Sequence, residues 1–305
     1  MVTRNEIHVF LRGGLGNQLY QYIVAKDLSL RFSKNLVLRE DLLPVEKDVI
    51  AGVTRWPNQL IGFRHSGTVL YRKHQPPHAT NLFGKLMQLM RVFGDWLPNF
   101  SARLGWLSSE KSTEFPKTNL SRLRIINSYS VNKNLIAENR EAIREELENL
   151  VSPSDSYLEL KAELSKSPKT IVHIRKGDYQ NLTEIYGVID KDYYRKALKI
   201  LSEEKSINPI WIFTDTPSGL TAEEIAAINP EKIVGPAEID SPLENLLLMS
   251  KGASFIASNS TYSWWASQLS EKGNIIVAPL MSRAKINNFD EKNEPHDTLV
   301  FITVE

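Results

Sequence analysis

Strand-like and helix-like patterns alternate along the chain from its amino terminus. The apolar run at 7–11 predicts a strand, and "NLVLRE" at 35–40 predicts a second one. Between them, apolar residues recur at helical spacing and predict a helix that begins near Asn17: Leu19, Tyr22, Ile23, Ala25 and Leu28. Further along, the pattern at 133–150 predicts another helix, and "VSPSDS" after it predicts a turn.

The alternation is most regular in the second half of the chain. Apolar runs predict strands at 170–174, 210–213, 254–257 and 275–278. Four helices are predicted between and after them: one at 192–205, one opened by a capping box of Thr221 and Glu224, one opened by Ser241 and Pro242 with Glu244 in its first turn, and one at about 261–271 that stops at Gly273. Such alternation is typical of a parallel, doubly wound sheet.

The length predicts two α/β domains, because 305 residues exceed what one hydrophobic core usually serves. We place the boundary at 155–168. This gives an amino-terminal Rossmann-like domain at 1–160 and a carboxyl-terminal domain at 161–305. The last strand-like segment, "TLVFITV", could cross back to the first domain.

Composition removes several classes of function. The formal net charge of +1 gives no broad electrostatic footprint for nucleic acid, so an anion site has to be built locally. The chain has no cysteine, which excludes disulfides, thiolate metal sites and cysteine nucleophiles. Because "MVTRNEIHVF" lacks the apolar run of a signal peptide and no segment reaches about 18 apolar residues, we expect a cytoplasmic protein.

Residues 44–120 have no such regular pattern. They contain several prolines and the aromatic-rich stretch "LFGKLMQLMRVFGDWLPNFSARLGW". From 81 to 124 there are seven Lys or Arg residues against three Asp or Glu residues. One interpretation is an amphipathic cover on a core. The other is a surface that meets the inner membrane peripherally, or that meets a lipid-linked acceptor.

Small and polar residues follow four of the predicted strands. In open α/β sheets, ligands bind outside the carboxyl ends of the strands. The residues at those ends offer cations, hydroxyls and backbone N–H groups: "GGLGN" at 13–17, "RKGD" at 175–178, "TDT" at 214–216 and "SNST" at 258–261. This combination predicts a site for an anionic, hydroxyl-rich ligand such as a nucleotide sugar.

Each strand end also has a plainer interpretation. "GGLGN" suits a phosphate or sugar at a helix start, but it lacks the third glycine of a dinucleotide fingerprint and is not followed by the GK[ST] of a P-loop. It could be a simple strand-to-helix turn. "SNST" could bind a phosphate or only cap a helix, with Trp264 and Trp265 packing as core. Asp215 suits guanine N–H groups or a ribose hydroxyl, but could also cap a turn.

His173 and Arg175 share one face of a strand because they are two residues apart. Arg175 can direct two N–H donors at a phosphate, whereas its plainer role is an ion pair with Asp178. His173 is either part of the site or a buried, hydrogen-bonded core histidine. His74 and His78 flank two prolines, but no carboxylate cluster completes a metal site.

Four segments together closely resemble the bacterial α-1,2-fucosyltransferases of glycosyltransferase family 11: "RGGLGNQLYQY", "HIRKGDY", "IFTDT" and "LENLLLMSKGASFIASNSTYSWWASQL". The resemblance implies a GT-B fold, with two Rossmann-like domains facing across a cleft. It also implies GDP-L-fucose as donor, inversion at the anomeric carbon and no metal or other cofactor. The arginine of the H-x-R motif corresponds to Arg175 and would bind the GDP phosphates. Lys176 stands where the family usually has a second arginine.

The resemblance and the strand ends together give a set of expected site residues. Arg175 is the expected charge-stabilising residue, and Asp178 is either a general base or the group that holds Arg175. The expected donor-binding residues are Gly14, Gly16, Asn17, Gln18, His173, Lys176, Asp215, Ser258, Asn259, Ser260 and Thr261.

The expected reaction is transfer of fucose to a hydroxyl of an oligosaccharide or lipid-linked glycan, with the 2-hydroxyl of galactose as the expected acceptor group. The amino-terminal domain is the expected acceptor side, and no nucleic-acid partner is expected. Two alternatives remain open, a transferase for another nucleotide sugar and a nucleotide-binding module without catalysis.

Overall fold

Parallel strands dominate both halves of the chain. The structure, a computed structural model, describes residues 5–40, 42–50, 53–60, 69–72, 89, 90, 92, 96–108, 119–128, 132–177, 182–187, 189–204, 207–271, 273–286, 288, 289, 291, 294 and 298–304. The chain divides into two compact units. The first comprises Met1–Val49 and Thr54–Leu135, and the second comprises Ile50–Val53 and Ile136–Glu305.

The first unit contains a five-stranded parallel sheet with the order β5-β2-β1-β7-β6. Its strands are β1 (Glu6–Phe10), β2 (Asn35–Arg39), β5 (Val69–Arg72), β6 (Trp106–Ser108) and β7 (Ile125–Asn127). A small separate sheet pairs β3 (Asp48–Ile50) with β4 (Val53–Arg55). Helix α1 (Leu15–Arg31) connects β1 to β2, and α2 (Pro98–Leu104) precedes β6.

The second unit contains a six-stranded parallel sheet with the order β10-β9-β8-β11-β12-β13. Its strands are β8 (Thr170–Ile174), β9 (Ile210–Thr214), β10 (Lys232–Val234), β11 (Ser254–Ile256), β12 (Ile275–Met281) and β13 (Leu299–Val304). Numbered along the chain, this is the order 3-2-1-4-5-6 of a doubly wound dinucleotide-binding fold. The predicted α/β class with two Rossmann-like units is confirmed.

Helices precede and connect the strands of the second unit. They are α3 (Lys133–Glu138, which spans the division), α4 (Arg140–Leu150), α5 (Asp155–Lys166), α6 (Thr183–Tyr186), α7 (Lys191–Glu204), α8 (Ala222–Ile228), α9 (Pro242–Met249) and α10 (Thr261–Gln268). Thr221 and Glu224 form the predicted capping box of α8, and Ser241 caps α9 with Pro242 in the first turn. Buried aliphatic and aromatic residues of α7 pack on the strands: Tyr193, Tyr194, Ala197, Leu198 and Leu201.

Three sequence expectations differ from the structure. The division between the units lies at Leu135, earlier than 155–168, because α4 and α5 pack against α9 of the second unit. The predicted turn "VSPSDS" instead leads into α5, whose N-cap Ser154 accepts a hydrogen bond from the Tyr157 N–H. The predicted helix at 133–150 is interrupted at Asn139. Asparagine is unfavourable inside helices because its side chain can hydrogen-bond to the backbone in non-helical conformations.

The carboxyl-terminal strand does not cross back to the first unit. Strand β13 pairs in parallel with β12 from Leu299 opposite Ile276 to Val304 opposite Met281. Its apolar side therefore completes the core of the second unit, to which Ile302 and Val304 contribute.

Candidate functional site

The candidate site lies at the carboxyl ends of the two central strands of the second sheet. The strand order reverses between β8 and β11. Ligands of open parallel sheets bind at this kind of reversal, because the loops that leave the two neighbouring strands diverge there. Arg175 directly follows β8, and Ser258 lies two residues after the end of β11. The sheet therefore has the topology that the predicted site requires.

An ion pair with Asp215 holds Arg175. Strands β8 and β9 pair with Ile174 opposite Thr214, so the next residue of each strand lies at the same level of the sheet. Arg175 Nη1 is 2.7 Å from Asp215 Oδ2, and the two side chains are 18% and 23% exposed. Asp178, the partner that the sequence suggests, lies outside the described residues.

Both oxygens of the Asp215 carboxylate have a partner on the β8 end. The backbone N–H of Lys176 donates to Oδ1 at 3.0 Å, while Oδ2 faces Arg175. Gly177 lies so close that a Cβ there would overlap Oδ2 and lie 3.3 Å from Asp215 Cγ. The close approach of the carboxylate therefore requires glycine at 177. The predicted contact of Asp215 with guanine or ribose stays a prediction, since a carboxylate has further lone pairs.

The ammonium group of Lys176 forms an ion pair within the protein, with Glu224. Its Nζ is 2.5 Å from Glu224 Oε1, and the two side chains are only 15% and 6% exposed. The other oxygen of Glu224 accepts hydrogen bonds from the backbone N–H and hydroxyl of Thr221, in the capping box of α8. Because this ion pair already compensates the ammonium, the predicted phosphate contact of Lys176 is not the role that this geometry favours.

His173 is buried and connects the two central strand ends. Its Nδ1 lies 2.9 Å from the hydroxyl of Ser258, and its ring centroid is 5.6 Å from that of Tyr262. Burial and, secondarily, the charge of Arg175 lower the pKa of His173 to about 3. The imidazole is therefore neutral at physiological pH. The structure shows the buried, hydrogen-bonded histidine that the sequence allowed, and the donor contact of His173 stays a prediction.

The depressed pKa of His173 predicts a pH-dependent stability. The unfolded chain binds a proton at this histidine below about pH 6.5, whereas the native protein does not bind it until about pH 3. The unfolded state thus carries more protons in this window, and stability falls as the pH falls. Between pH 7 and pH 5, we expect His173 to account for a loss of about 2 kcal/mol of unfolding free energy.

Urea unfolding at the two pH values tests this expectation. His173→Asn keeps a polar atom near the hydroxyl of Ser258 but does not titrate, so its pH dependence should be weaker by about that amount. Equal slopes for the variant and the unmodified protein would contradict a neutral, buried His173.

The hydroxyls that follow β11 organise the start of α10. Ser260 is the N-cap and accepts from the Ser263 N–H, while the Ser263 hydroxyl accepts from the Ser258 N–H. In the part of the chain that the structure describes, no acceptor faces the backbone N–H groups of Thr261 and Tyr262. These two donors at the positive end of a helix can bind an anion. Ser258 and Ser260 thus shape the turn, and the backbone offers the donors.

Asn259 fastens the site to neighbouring loops. Its amide N–H groups donate to the carbonyls of Tyr186 and Ile286, each at 2.9 Å. Its side-chain oxygen accepts from the Asn288 backbone N–H at 2.8 Å. These bonds give the Asn259 side chain a structural role, and the predicted donor contact of Asn259 stays a prediction.

Trp264 and Trp265 belong to the core, as the sequence predicts. Both side chains are fully buried, and their rings meet edge to face with centroids 5.5 Å apart. The indole N–H of Trp264 donates to Glu294 at 2.8 Å. Both residues belong to α10 and attach that helix to the core, so no role in the chemistry follows from them.

The glycine-rich loop belongs to the first unit. Gly13 has a φ of +70°, and a Cβ there would overlap the side chain of Asn17. Gly14 occupies the N-cap of α1 and lies against the Trp56 ring, where a Cβ would be 3.3 Å from Cδ1. The helix begins at Leu15, slightly before the predicted start. The donor contacts of Gly14, Gly16 and Asn17 stay predictions.

Gln18 has a structural role. Its amide N–H groups donate to the carbonyls of Gly13 and Pro57 at 2.8 and 3.0 Å, and its oxygen accepts from the Gln59 N–H at 2.8 Å. The side chain is fully buried. These hydrogen bonds connect the loop to residues 57–59, and the predicted donor contact of Gln18 stays a prediction.

An Asp-x-Asp pair at the start of α7 is used for capping. Asp190 Oδ1 accepts from the N–H of Asp192 at 3.0 Å, and Asp192 pairs with Arg195 on the exposed face of the helix. Within the described ranges, no three His, Asp or Glu side chains converge as metal ligands would. His74 and His78 lie outside those ranges.

Two residues that line the site were not expected there. The sequence shows Glu224 as a capping residue, but not as the partner of Lys176. Tyr262 packs its ring near His173 and donates from its hydroxyl to the Pro242 carbonyl at 2.5 Å. Burial raises the pKa of Tyr262 far above its ordinary value. Its position directly after the "SNST" segment is the sequence signal that could have indicated it.

An arginine and helix N–H groups at the strand ends of a parallel α/β unit can bind the diphosphate of a nucleotide sugar. The comparison with protein families identifies the chain as a glycosyltransferase. Residues 128–295 match the model described as Glycosyl transferase family 11. The match covers more than half of the chain, which therefore belongs to glycosyltransferase family 11.

Two Escherichia coli proteins are similar over nearly the full chain. The O-antigen biosynthesis glycosyltransferase WbnK is 28% identical over 291 residues, which cover 88% of this chain and 92% of WbnK. An alpha-1,2-colitosyltransferase is 26% identical over 308 residues, which cover 92% and 94% of the two chains. The structure of POFUT1 in complex with GDP-fucose aligns with a TM-score of 0.48 and 12% identity over 87% of this chain and 94% of that chain. That structural similarity is too low to bear on the site.

Proposed function

We propose that this glycosyltransferase transfers L-fucose from GDP-β-L-fucose to a hydroxyl of a glycan, with inversion and without a metal ion. The 2-hydroxyl of a galactose residue is the proposed acceptor group. The observation that carries the proposal is Arg175, fixed by Asp215 at the carboxyl end of β8 beside the strand-order reversal. The names of the two Escherichia coli relatives support a glycan of the O-antigen type and a 1,2-linkage.

The chemistry explains why an arginine is needed at this strand end. Breaking the bond between fucose and the diphosphate leaves additional negative charge on GDP. Preorganised donors aimed at that charge lower the barrier. Arg175 can supply N–H donors to the diphosphate oxygens, and the N–H groups of Thr261 and Tyr262 can add two more. Lys176 supplies less than the sequence suggests, because Glu224 already neutralises it.

The acceptor hydroxyl attacks the anomeric carbon from the face opposite to the leaving GDP, which inverts the configuration. The transition state resembles an oxocarbenium ion. Such a dissociative reaction needs little help from a general base. If a base acts, Asp178 is the proposed residue.

Product analysis tests the proposed function. The purified protein is incubated with GDP-L-fucose and a panel of β-galactosides, and the products are analysed by mass and by linkage. We expect one added deoxyhexose, linked α-1,2 to galactose. Parallel reactions with GDP-mannose, UDP-sugars and nucleotide-activated colitose test transfer from another donor. Binding of GDP without transfer from any donor would indicate a nucleotide-binding module and would reject the proposal.

Chelation tests the proposed metal independence. Because we propose that Arg175 and the helix N–H groups balance the charge of the diphosphate, EDTA should leave the transfer rate nearly unchanged. The rate is measured before and after treatment, and again after addition of Mn²⁺ or Mg²⁺. A loss of more than about tenfold that either metal restores would contradict metal independence.

We also propose that the region around α2 contacts the inner membrane peripherally. Its apolar side chains face solvent: Trp96 is 83% exposed, Leu97 and Phe100 are each 50% exposed, and Leu104 is 52% exposed. The sequence of 81–124 also has an excess of basic residues, and exposed apolar side chains and basic residues are features of surfaces that bind anionic lipid. Among the described residues, no helix is both long and apolar enough to cross a membrane.

Sedimentation with vesicles tests the membrane contact. The protein should bind vesicles that contain anionic lipid more strongly than zwitterionic ones, and Trp96→Ser with Phe100→Ser should abolish most of this binding. Leu158→Ser is the matched control, because Leu158 is similarly exposed, at 49%, on α5. Equal binding by the double variant and the control would contradict the proposed contact.

A further inference from the structure

We infer that Asp215 is a positioning residue that holds the guanidinium of Arg175, and that residue 177 is glycine so that this carboxylate can reach it. The inference rests on the proposed function, because it assigns Arg175 to the leaving diphosphate. It differs from the expected contact of Asp215 with guanine or ribose, which would act on donor binding without Arg175.

The carboxylate of Asp215 has a fixed orientation. Its Oδ1 accepts from the backbone N–H of Lys176 at 3.0 Å, which ties it to the end of β8 rather than to another flexible side chain. Its Oδ2 then lies 2.7 Å from Arg175 Nη1. An arginine side chain has several rotatable bonds, and a rigid carboxylate restricts them before the donor arrives. This ordering is the preorganisation that charge stabilisation needs.

The ion pair is compatible with binding a diphosphate. A guanidinium carries five N–H donors in a planar fork, so one arginine can contact a carboxylate and a phosphate together. Both side chains keep part of their surface exposed, 18% for Arg175 and 23% for Asp215, so the pair lies at the border of the site rather than in the core.

Gly177 allows the pair to be disturbed without removing any charge. A Cβ at 177 would overlap Asp215 Oδ2, lie 3.3 Å from Asp215 Cγ and lie 3.8 Å from Arg175 Cζ. The backbone of Gly177 does not have a positive φ, so alanine is acceptable there apart from these contacts. Gly177→Ala should therefore push the carboxylate away from Arg175 while Arg175, Asp215 and Lys176 all remain.

A double-mutant cycle tests the inference with the full chain and GDP-fucose. We expect Asp215→Ala and Gly177→Ala each to lower kcat by about tenfold or more, with GDP affinity in calorimetry changing less than kcat. In the Arg175→Ala background, adding Asp215→Ala should change kcat by less than about threefold, because the positioned group is already absent. Asp215→Asn, which can keep the bond to the Lys176 N–H but lacks the charge, should fall between.

Gly219→Ala is the matched control. A Cβ at 219 would have only ordinary or slightly tight contacts, the nearest at 3.3 Å from Thr216 Cγ2, so its kcat should stay close to that of the unmodified protein. Thermal midpoints are measured for every variant. If Gly177→Ala does not fold, the double-mutant cycle of Arg175 and Asp215 still shows whether Asp215 acts through Arg175.

Two outcomes would overturn the inference. In one, the effects of Arg175→Ala and Asp215→Ala on kcat multiply, which means that the two residues act separately. In the other, Asp215→Ala weakens GDP binding and leaves kcat unchanged, as a base contact would. The proposed function fails in a different way, namely if the unmodified protein transfers no fucose.

Discussion

Arg175→Ala should lower kcat by on the order of 10²–10³, with a smaller loss of donor affinity. The loss of one preorganised donor at a developing anion typically has an effect of this size, equivalent to about 3–4 kcal/mol of barrier. Arg175 is expected to bind the leaving diphosphate more tightly in the transition state than in the donor complex, so kcat should change more than affinity. Initial rates over a range of GDP-fucose concentrations, together with GDP calorimetry, measure both quantities.

Matched variants separate this role from a general loss of positive charge. Arg175→Lys should recover only part of the activity, because an ammonium cannot fork over two oxygens. Lys176→Ala should lose far less kcat, since Glu224 already pairs with that charge. Arg195→Ala, on the exposed face of α7, should keep full activity. If Arg175→Ala remains folded and keeps more than about a tenth of kcat, the charge-stabilising role is wrong.

Glu224→Ala should destabilise the protein by about 3 kcal/mol or more. Removing one partner of a buried ion pair leaves the other charge uncompensated, which typically costs about 3–5 kcal/mol. The same substitution removes one side of the capping box that Glu224 forms with Thr221. In a domain of this size, the expected fall in Tm is about 6–12 °C, which thermal unfolding by circular dichroism can measure.

The neighbouring residue provides the control for Glu224. Glu223 lies in the same first turn of α8 and also pairs with a lysine, Lys191, but its side chain is 70% exposed. Exposed pairs contribute little because water screens them. Glu223→Ala should therefore leave Tm close to that of the unmodified protein. Equal Tm values for the two variants would show that the buried pair with Lys176 contributes no more to stability than the exposed pair does.

The sequence predicts the second sheet well because its signals are local and agree with one another. The apolar run of β8, the capping box at Thr221 and the Ser241-Pro242 start of α9 each depend on residues that are close in the chain. The same local signals place Arg175 and Ser258 at strand ends. The sequence does not predict the start of α5, although Ser154 is a good N-cap, because "VSPSDS" has the composition of a turn.

Pairings across the sheet could not be predicted in this way. The sequence suggests Asp178 for Arg175 because it is near in the chain, whereas the register of β8 and β9 brings Asp215 to it. The partner of Lys176 likewise depends on where α8 packs.

The roles of Gln18 and Asn259 could not be predicted either. Each amide follows a strand end where a ligand would bind, yet each donates to two backbone carbonyls. In each case at least one of those carbonyls lies far away in the chain. An amide suits a sugar hydroxyl and a peptide carbonyl equally well, so the residue type alone does not decide between the two.

The two ion pairs at the end of β8 also determine how the donor meets the enzyme. Arg175 is balanced by Asp215 and Lys176 by Glu224, so these four side chains present almost no net charge to an approaching anion. A field of one sign accelerates association over long distances and makes it sensitive to ionic strength. These two pairs therefore contribute little attraction at long range, and their N–H donors act on phosphate oxygens at contact distance. The association rate of the donor should therefore depend mainly on shape and hydrogen bonding, and it should be nearly the same in concentrated salt as in dilute buffer.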